Sequence, residues 1–324
     1  MSADLPILEA RGLTKTFRQN DSLLSRMLGK LGLGPGPQMV RAVDGVDFTL
    51  HRGDVLGIVG ESGCGKSTLG RMAAGLTRPS SGEVLQEGKT RDVTEGLDRQ
   101  MIFQDPFSSL NPRKRVTELI GEAPRVHRIV GAAELETYVR TLMERCGIDP
   151  AFHDRFAHQF SGGQRQRIGI ARALAVKPEV LICDEAVSAL DVSVQAQIVN
   201  LFMDLRDELG LTYIFISHDL GIVRHLADRV LVMYLGRVVE EGPAEEVFDA
   251  PQHPYTRALV EAVPRLDRRR TTFHPVAGEI PSPLNPPSGC HFHPRCPLAT
   301  DLCRTQSPAL REIAPGRRAA CHLI

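Results

Sequence analysis

The hydrophobic positions of this chain follow two patterns that predict different elements. Apolar runs of four or five residues predict strands buried on both faces. Such runs occur at Val55–Val59, 180–183 and Thr212–Ile216. Segments with apolar residues three or four positions apart predict helices. These segments begin at Lys66 and span 163–176 and 192–209. The alternation predicts an α/β domain with a largely parallel core sheet.

Other segments depart from this alternation. Residues 7–17 and 40–50 have the partial alternation of half-buried strands. Between them, 19–39 is rich in Gly and Pro, which predicts a long surface loop with one short helix at 23–31. Residues 110–160 lack a strong strand pattern, and 132–147 carry one apolar helical stripe, so we expect a helical insertion there.

The C-terminal part of the chain has a different composition. Residues 229–239 predict a hairpin that turns at Leu235 and Gly236. Prolines accumulate from residue 250 onward. We therefore predict a main domain over 1–250 and a separate extension over 251–324.

Composition places the chain among ordinary globular proteins. Its 324 residues are 42% hydrophobic and 24% charged, enough for a sizeable core. Lys plus Arg equals Asp plus Glu at 39 each, so no overall field gathers nucleic acid, and we expect no such partner. No apolar run reaches the ~18 residues of a membrane span. The N-terminus lacks a secretory pattern, so we expect a cytoplasmic location.

A phosphate-binding loop is predicted between the first buried strand and the helix at Lys66. Residues 60–67 read Gly-Glu-Ser-Gly-Cys-Gly-Lys-Ser, which matches Gly-x4-Gly-Lys-Ser/Thr. Glycines let backbone N–H groups converge on an anion, and the helix start adds partial positive charge. The predicted ATP-binding residues here are Gly60, Ser62, Gly63, Cys64, Gly65, Lys66, Ser67 and Thr68. We expect Lys66 to reach the β- and γ-phosphates and Ser67 to hold Mg²⁺.

Two positions near this loop allow more than one interpretation. Cys64 is either a small loop residue or a redox-sensitive thiol. The strand at 180–183 ends in Asp184 and Glu185. Asp184 is predicted to hold Mg²⁺, directly or through water, and Glu185 to act as general base toward the attacking water. The alternative is a polar strand end without chemistry.

The segment Phe160-Ser161-Gly162-Gly163-Gln164 resembles the signature of ABC ATPases, with Phe in place of the usual Leu. The resemblance implies a phosphate-loop fold with a RecA-like core sheet, an antiparallel β subdomain and a helical subdomain at about 106–175. It also implies that Ser161, Gly163 and Gln164 cap the γ-phosphate held by an opposite subunit. A single chain then contains half of each active site.

Further motifs follow in the order of that family. Gln104 resembles the glutamine that senses Mg²⁺ and water, and residues 188–191 resemble the loop that crosses the dimer interface. His218 resembles the histidine that contacts the γ-phosphate and positions Glu185. Phe17 resembles the aromatic platform for adenine, with a core strand side chain as the alternative. Because the predicted catalytic set is complete, we expect an active ATPase. That set is Lys66, Gln104, Glu185 and His218.

Three segments narrow the resemblance to ATPases of oligopeptide and dipeptide importers, a family that also includes nickel and glutathione transporters. These segments are 60–67, 188–197 and 253–259. The resemblance implies peptide import with two transmembrane permease subunits and an extracytoplasmic solute-binding protein. The 19–39 loop resembles the second ATPase of such systems, which implies a related ATPase as partner, with a homodimer possible. It implies a peripheral location on the cytoplasmic face of the membrane.

Four of the seven cysteines lie in the predicted extension, at Cys290, Cys296, Cys303 and Cys321. Four thiolates can hold an iron–sulfur cluster or a tetrahedral zinc ion. His291, His293 and His322 are alternative zinc ligands, and unligated thiols remain possible. The family resemblance implies a [4Fe–4S] cluster.

Two other functions compete with transport. One is a soluble ABC ATPase that acts on ribosomes or DNA, which co-purification with nucleic acid rather than permeases would reveal. The other is a binding module without catalysis, which would turn over no ATP whether or not Glu185 is replaced.

Overall fold

Two β-sheets form the framework of the computed structural model, which describes residues 5–19, 38–90, 96–105, 109–263 and 278–324. The strands, in chain order, are β1 (Leu8–Gln19), β2 (Gln38–Leu50), β3 (Val55–Val59), β4 (Ser81–Gln86), β5 (Lys89–Thr90), β6 (Arg99–Ile102), β7 (Val180–Asp184), β8 (Thr212–Ile216), β9 (Arg229–Tyr234), β10 (Arg237–Pro243), β11 (Arg311–Ala314) and β12 (Arg317–Ala319). The smaller sheet has the order β2-β1-β4-β5 and is antiparallel.

Helices cover the larger sheet and form the predicted insertion. They are α1 (Lys66–Ala73), α2 (Val116–Val126), α3 (Leu135–Arg145), α4 (Gly162–Leu174), α5 (Val192–Leu209), α6 (Leu220–Leu226), α7 (Ala244–Asp249), α8 (Pro254–Glu261) and α9 (Asp301–Thr305). Short 3-10 turns occur at Pro150–Phe152, Ala157–Gln159 and His293–Arg295. Among the described helices, none combines the length and apolarity needed to cross a bilayer.

The larger sheet has the order β11-β12-β10-β9-β3-β8-β7-β6, and its strands from β9 to β6 pair in parallel. Strands β3, β7 and β8 are buried along their whole lengths. Parallel strands end at the same edge of a sheet, so the segments after β3, β7 and β8 meet there. The register brings Ile216 beside both Ile58 and Asp184. This edge gathers the predicted chemistry.

The predicted secondary structure agrees with these elements in most of the chain. The β8 and α5 bounds match the predicted ones, and α2 and α3 form the helical insertion. The hairpin turns at Leu235 and Gly236, whose φ angles are 42° and 82°. Residues 20–37 of the predicted 19–39 loop, and the short helix within it, lie outside the described residues. Strands β4, β5, β6, β11 and β12 were not predicted.

The C-terminal segment returns to the core sheet. Strand β12 pairs antiparallel with β10, and Glu240 lies opposite Ala319. Glu240 is fully buried and accepts hydrogen bonds from Arg317 and from the backbone N–H groups of Gln252 and His253. A buried carboxylate is stable only with such partners. The domain boundary near residue 250 remains a prediction.

Candidate functional site

The loop between β3 and α1 has a backbone that requires glycine at two positions. Gly60 has a φ of 149°, and a Cβ there would lie 2.2 Å from the carbonyl oxygen of Met233. Gly65 has a φ of 107°, and its Cβ would lie 2.0 Å from the carbonyl oxygen of Ala42. Gly65 also begins α1 without a side-chain cap. The first N–H groups of α1 are therefore not used by a capping side chain and can bind an anion.

The side chain of Lys66 places its positive charge within this loop. Its ammonium donates to the carbonyl oxygens of Gly60 at 2.7 Å and Glu61 at 3.0 Å. The residue is 4% exposed. A buried ammonium surrounded by loop oxygens suits a phosphate-binding position, because a phosphate group offers further oxygens to the remaining donor capacity.

Cys64 is a buried member of the loop. Burial raises the pKa of its thiol, and the nearby Lys66 charge lowers it less. The thiolate is the reactive form of cysteine, so a raised pKa disfavours redox chemistry. The geometry favours the small-residue interpretation of Cys64.

Ser67 and Asp184 form a pair of oxygen ligands beside the loop. The Ser67 hydroxyl donates to Asp184 Oδ1 at 2.7 Å. Burial raises the pKa of Asp184, although the Ser67 hydrogen bond acts in the opposite direction. Hydroxyl and carboxylate oxygens are ligands that Mg²⁺ prefers. A cation bound here would also offset the cost of burying the Asp184 charge. These two residues fit the predicted magnesium site.

Glu185 is the centre of a second group of predicted residues. Its Oε2 accepts a hydrogen bond from Gln104 Nε2 at 2.9 Å and lies 3.5 Å from His218 Nδ1. Its backbone N–H donates to the carbonyl oxygen of Ile216 at 3.0 Å. Its φ is 49°, which is uncommon for a residue other than glycine. The structure therefore brings together Gln104, Glu185 and His218 at the end of β7, around a backbone conformation of the kind that clusters at active sites.

The signature segment forms the beginning of α4. The Gln164 N–H donates to Ser161 Oγ at 3.3 Å, and the Ser161 N–H donates to Gln164 Oε1 at 3.0 Å. This reciprocal pair is a capping box. A Cβ on Gly163 would lie 2.5 Å from Val194 Cγ1, which explains why a small residue packs there. Ser161 and Gln164 bond each other and are both exposed.

Phe17 and Thr68 complete the predicted ATP-binding set. Phe17 pairs with Val40 across β1 and β2 and is 45% exposed, so it is not a core side chain. The Lys15 ammonium lies 5.4 Å from its ring centroid. Thr68 is half-buried in the first turn of α1, and Ser62 and Gly63 are exposed in the loop.

Sequence reasoning missed the groups that hold the phosphate loop from outside. Glu61 in the loop contacts Tyr255 and Arg295, both from the C-terminal part of the chain. The sequence identifies the segment 253–259 only as a family marker. No local pattern connects it to a loop near residue 61.

Comparisons with known proteins place this arrangement in a family. A model described as "ABC transporter" matches residues 43–188, and one described as "Oligopeptide/dipeptide transporter, C-terminal region" matches residues 239–303. The dipeptide transport ATP-binding protein DppF of Haemophilus influenzae is 48% identical over 328 residues, which cover 98% of this chain and 97% of that protein. This chain belongs to the dipeptide/oligopeptide transport ATP-binding proteins of the ABC family. The predicted family and its ATPase class are thereby confirmed.

Other relatives of this ABC ATP-binding protein agree. The oligopeptide transport ATP-binding protein AppF of Bacillus subtilis is 48% identical over 330 residues, covering 98% of this chain and 97% of that one. The solved structure of cbiO1 from Clostridium perfringens, part of the ABC transporter complex cbiONQ, is 30% identical with a TM-score of 0.62, over 76% of this chain and 91% of that chain. The predicted fold is confirmed. The ribosome or DNA alternative is not favoured.

The four C-terminal cysteines are free thiols without the expected ion site. Burial raises the pKa of Cys290 and Cys296, and the charges of Cys303 and Cys321 add to both shifts. The backbone brings two of them together, because the Cys290 N–H donates to the Cys303 carbonyl oxygen at 2.8 Å. Across the described part of the chain, however, no three His, Cys, Asp or Glu side chains form a group that could hold a metal ion.

Two of the alternative zinc ligands have other contacts. His293 Nδ1 lies 3.0 Å from the carbonyl oxygen of Cys290, and His322 Nε2 lies 2.9 Å from that of Gln306. Neither the [4Fe–4S] cluster nor zinc gains support from this geometry, and both stay predictions.

Proposed function

We propose that this chain hydrolyses ATP to drive the import of di- and oligopeptides through an ABC membrane transporter. Its relatives carry the names of dipeptide and oligopeptide transport ATP-binding proteins over nearly their whole lengths. The observation that carries the proposal is the convergence of Gln104, Glu185 and His218 beside the Ser67–Asp184 pair. These residues lie where β3, β6, β7 and β8 end.

Each residue has a distinct role in the proposed reaction. Lys66 and the N–H groups of the loop bind and orient the triphosphate. Magnesium held by Ser67 and Asp184, with Gln104 nearby, would neutralise charge on the β- and γ-phosphates. Glu185 accepts the proton of the attacking water. Gln104 and His218 both contact the same Glu185 oxygen, so they fix the direction in which this base points.

A second ATPase subunit completes each site in this proposal. The tip of α4 carries Ser161 and Gln164 at the surface, where a γ-phosphate bound to another subunit can reach them. We propose that each ATP bridges two chains, between the phosphate loop of one and the start of α4 in the other. We propose a related ATPase as the partner, and a homodimer is the other outcome of the oligomer measurement.

The permease subunits are proposed to bind a groove beside Gln104. This groove has a volume of about 570 Å³ and lies between the core sheet and the helical insertion. Leu76 and Phe103 line it and are 58% and 37% exposed. Exposed apolar side chains in a groove are typical of protein–protein contacts. The protein would thus act at the cytoplasmic face of the membrane, while a solute-binding protein outside delivers the peptide.

The test measures peptide uptake and ATP turnover by the whole transporter reconstituted in liposomes. ATP is supplied on the side of the membrane that carries this subunit. Glu185→Gln should reduce ATP turnover by about 10²- to 10⁴-fold, because a general base is lost, and should stop uptake. ATP binding should remain. Glu245→Gln, an exposed change on α7, is the matched control and should leave both unchanged. Undiminished turnover in Glu185→Gln would contradict the proposed base.

A finer proposal concerns the cysteines. We propose that Cys290, Cys296, Cys303 and Cys321 hold a [4Fe–4S] cluster, because four cysteine thiolates are the usual ligand set of such a cluster. Chain adjustment would be needed, since their present arrangement forms no ion site. Iron analysis and a visible absorption spectrum of the full-length protein, purified without oxygen, test this. A colourless protein without iron would exclude the cluster, and zinc in that sample would favour the alternative.

A further inference from the structure

The phosphate loop is connected to the C-terminal segment through Glu61, a loop residue that has no role in the reaction proposed above. Both carboxylate oxygens of Glu61 accept hydrogen bonds from Arg295, at 2.6 Å from Nη1 and 2.9 Å from Nη2. The Arg295 side chain is 3% exposed and that of Glu61 is 21% exposed. A bidentate pair of this kind fixes orientation as well as distance.

The backbone of Glu61 is held too. Its N–H donates to the Tyr255 hydroxyl at 2.8 Å, and its carbonyl oxygen accepts from Lys66 Nζ at 3.0 Å. Tyr255 lies on α8 and is fully buried. Three bonds from the C-terminal part of the chain therefore act on one residue of the phosphate loop, and that residue also contacts Lys66.

Arg295 and Tyr255 are themselves fixed by one aromatic cluster. Phe292 packs against Tyr234 and Tyr255, with ring centroids 5.3 and 5.4 Å away. The Arg295 N–H donates to the Phe292 carbonyl oxygen at 3.0 Å, and its guanidinium carbon lies 6.0 Å from the Phe292 ring centroid. The cluster connects β9, α8 and the turn at His293–Arg295. It holds both contacts in place before any ligand arrives.

We propose that Arg295 and Tyr255 are positioning residues for ATP, acting through Glu61 on the phosphate loop and Lys66. The inference rests on the proposed ATPase function and adds a role for the C-terminal segment within it. A loop already held in its binding conformation avoids an ordering cost when the ligand binds. Loss of these contacts should weaken ATP binding more than it slows the chemical step, which depends on Glu185.

The experiment measures ATP affinity of the full-length chain by calorimetry and steady-state kinetics of the transporter complex. Arg295→Ala and Glu61→Gln should each raise the Kd for ATP about tenfold, or about 1.4 kcal/mol. The KM should rise in parallel while kcat changes less than threefold. Arg295→Ala combined with Glu61→Gln should be no worse than either change alone, because both remove the same pair.

Conservative changes and a control separate positioning from general stability. Arg295→Lys keeps the charge but loses the planar fork, so its affinity should lie between those of wild type and Arg295→Ala. Tyr255→Phe keeps the ring and removes the hydroxyl, and it should raise the Kd about threefold. Arg304→Ala removes a 63% exposed arginine from the same segment and should bind ATP like wild type.

Normal ATP affinity in Arg295→Lys, Tyr255→Phe and Glu61→Gln, even with a lower melting temperature, would overturn the inference and leave only a structural role. These mild variants decide the question if Arg295→Ala does not fold. Calorimetry needs neither permease nor peptide. A transporter that binds ATP but imports no peptide would therefore contradict the proposed function, while the ATP affinities still test the positioning role of Arg295 and Tyr255.

Discussion

Two helix starts in this molecule carry glycine-rich sequences that are proposed to bind phosphate, and they are built in opposite ways. At α1, Gly65 provides no side-chain cap, and Lys66 is buried inside the loop. At α4, Ser161 and Gln164 cap each other and remain exposed. One start is enclosed and supported by distant parts of its own chain. The other is capped by its own neighbouring residues and faces outward.

This difference predicts separate roles for the two helix starts. We expect the enclosed start to bind a triphosphate within a single chain, because its N–H groups and its ammonium are already oriented. The outward start has satisfied its capping groups internally and offers the remaining N–H groups of its first turn to a ligand on another molecule. We expect changes at α1 to affect ATP binding and changes at α4 to affect turnover of the assembled dimer.

The largest expected effect is at Gly65. Gly65→Ala should reduce ATP affinity at least about 100-fold, because the new Cβ would meet the backbone of Ala42 at 2.0 Å and the φ is 107°. Gly63→Ala is the matched control: its φ is 78°, but no atom lies within 4 Å of the new Cβ, so about a tenfold loss is expected. Calorimetry on folded protein measures both. Equal ATP affinities of the two variants would show that the close approach of Gly65 to Ala42 does not determine the loss.

A smaller effect is expected at the outward helix start. Gly163→Ala should lower turnover of the transporter about tenfold and leave ATP binding by the separate chain unchanged, because its Cβ would meet Val194 Cγ1 at 2.5 Å. Adding Val194→Ala should restore most of the turnover by making room. Phosphate release measures the turnover, and calorimetry measures ATP binding by the separate chain. A loss of ATP affinity in the separate chain would contradict the division between the two helix starts.

The smallest expected effect is a loss of stability at low pH, caused by a histidine beside Tyr255, which contacts the enclosed helix start through Glu61. His253 begins α8, and its Nδ1 accepts the Tyr255 N–H at 3.1 Å. Burial lowers the pKa of His253 to about 4 from 6.5. Between these values the unfolded chain binds a proton that the folded chain excludes, so stability is complete above pH 6.5 and falls as the pH drops toward 4.

From pH 7 to 5.5 the expected loss from His253 is about 1 kcal/mol of unfolding free energy. His253→Asn keeps an acceptor for the cap and cannot take up the proton, so its loss over this range should be smaller by that amount. Urea unfolding of both proteins at several pH values measures the difference. The same pH dependence in both would remove His253 as the cause.

The sequence predicted those parts of the fold that have strong local patterns. The buried strands β3, β7 and β8 are uniform apolar runs, and α5 has a clear helical period. Strand β4 begins with exposed polar residues and β5 has only two residues, so neither has a pattern of useful length.

The candidate site was predictable to a similar extent. The parallel sheet brings together residues whose motifs occur in a known order, such as Ser67 with Asp184 and Gln104 with Glu185. The assigned roles remain predictions. The Arg295–Glu61 pair could not be predicted, because 234 positions separate its members and no periodicity relates them. Cysteine spacing, in turn, carries no information about whether the four thiols surround a common point.

The return of β12 to the core sheet has a consequence for how copies of the protein behave toward each other. Strand β10 has seven residues, most of them buried, and β12 pairs along part of its open side. Without the antiparallel pair of β11 and β12, β10 would present unpaired backbone groups to other chains, which is a common route to aggregation. The outermost strand, β11, has only four residues and begins with Arg311 and Glu312. Its short length and its charges discourage the addition of a foreign strand, so the end of the chain also protects solubility.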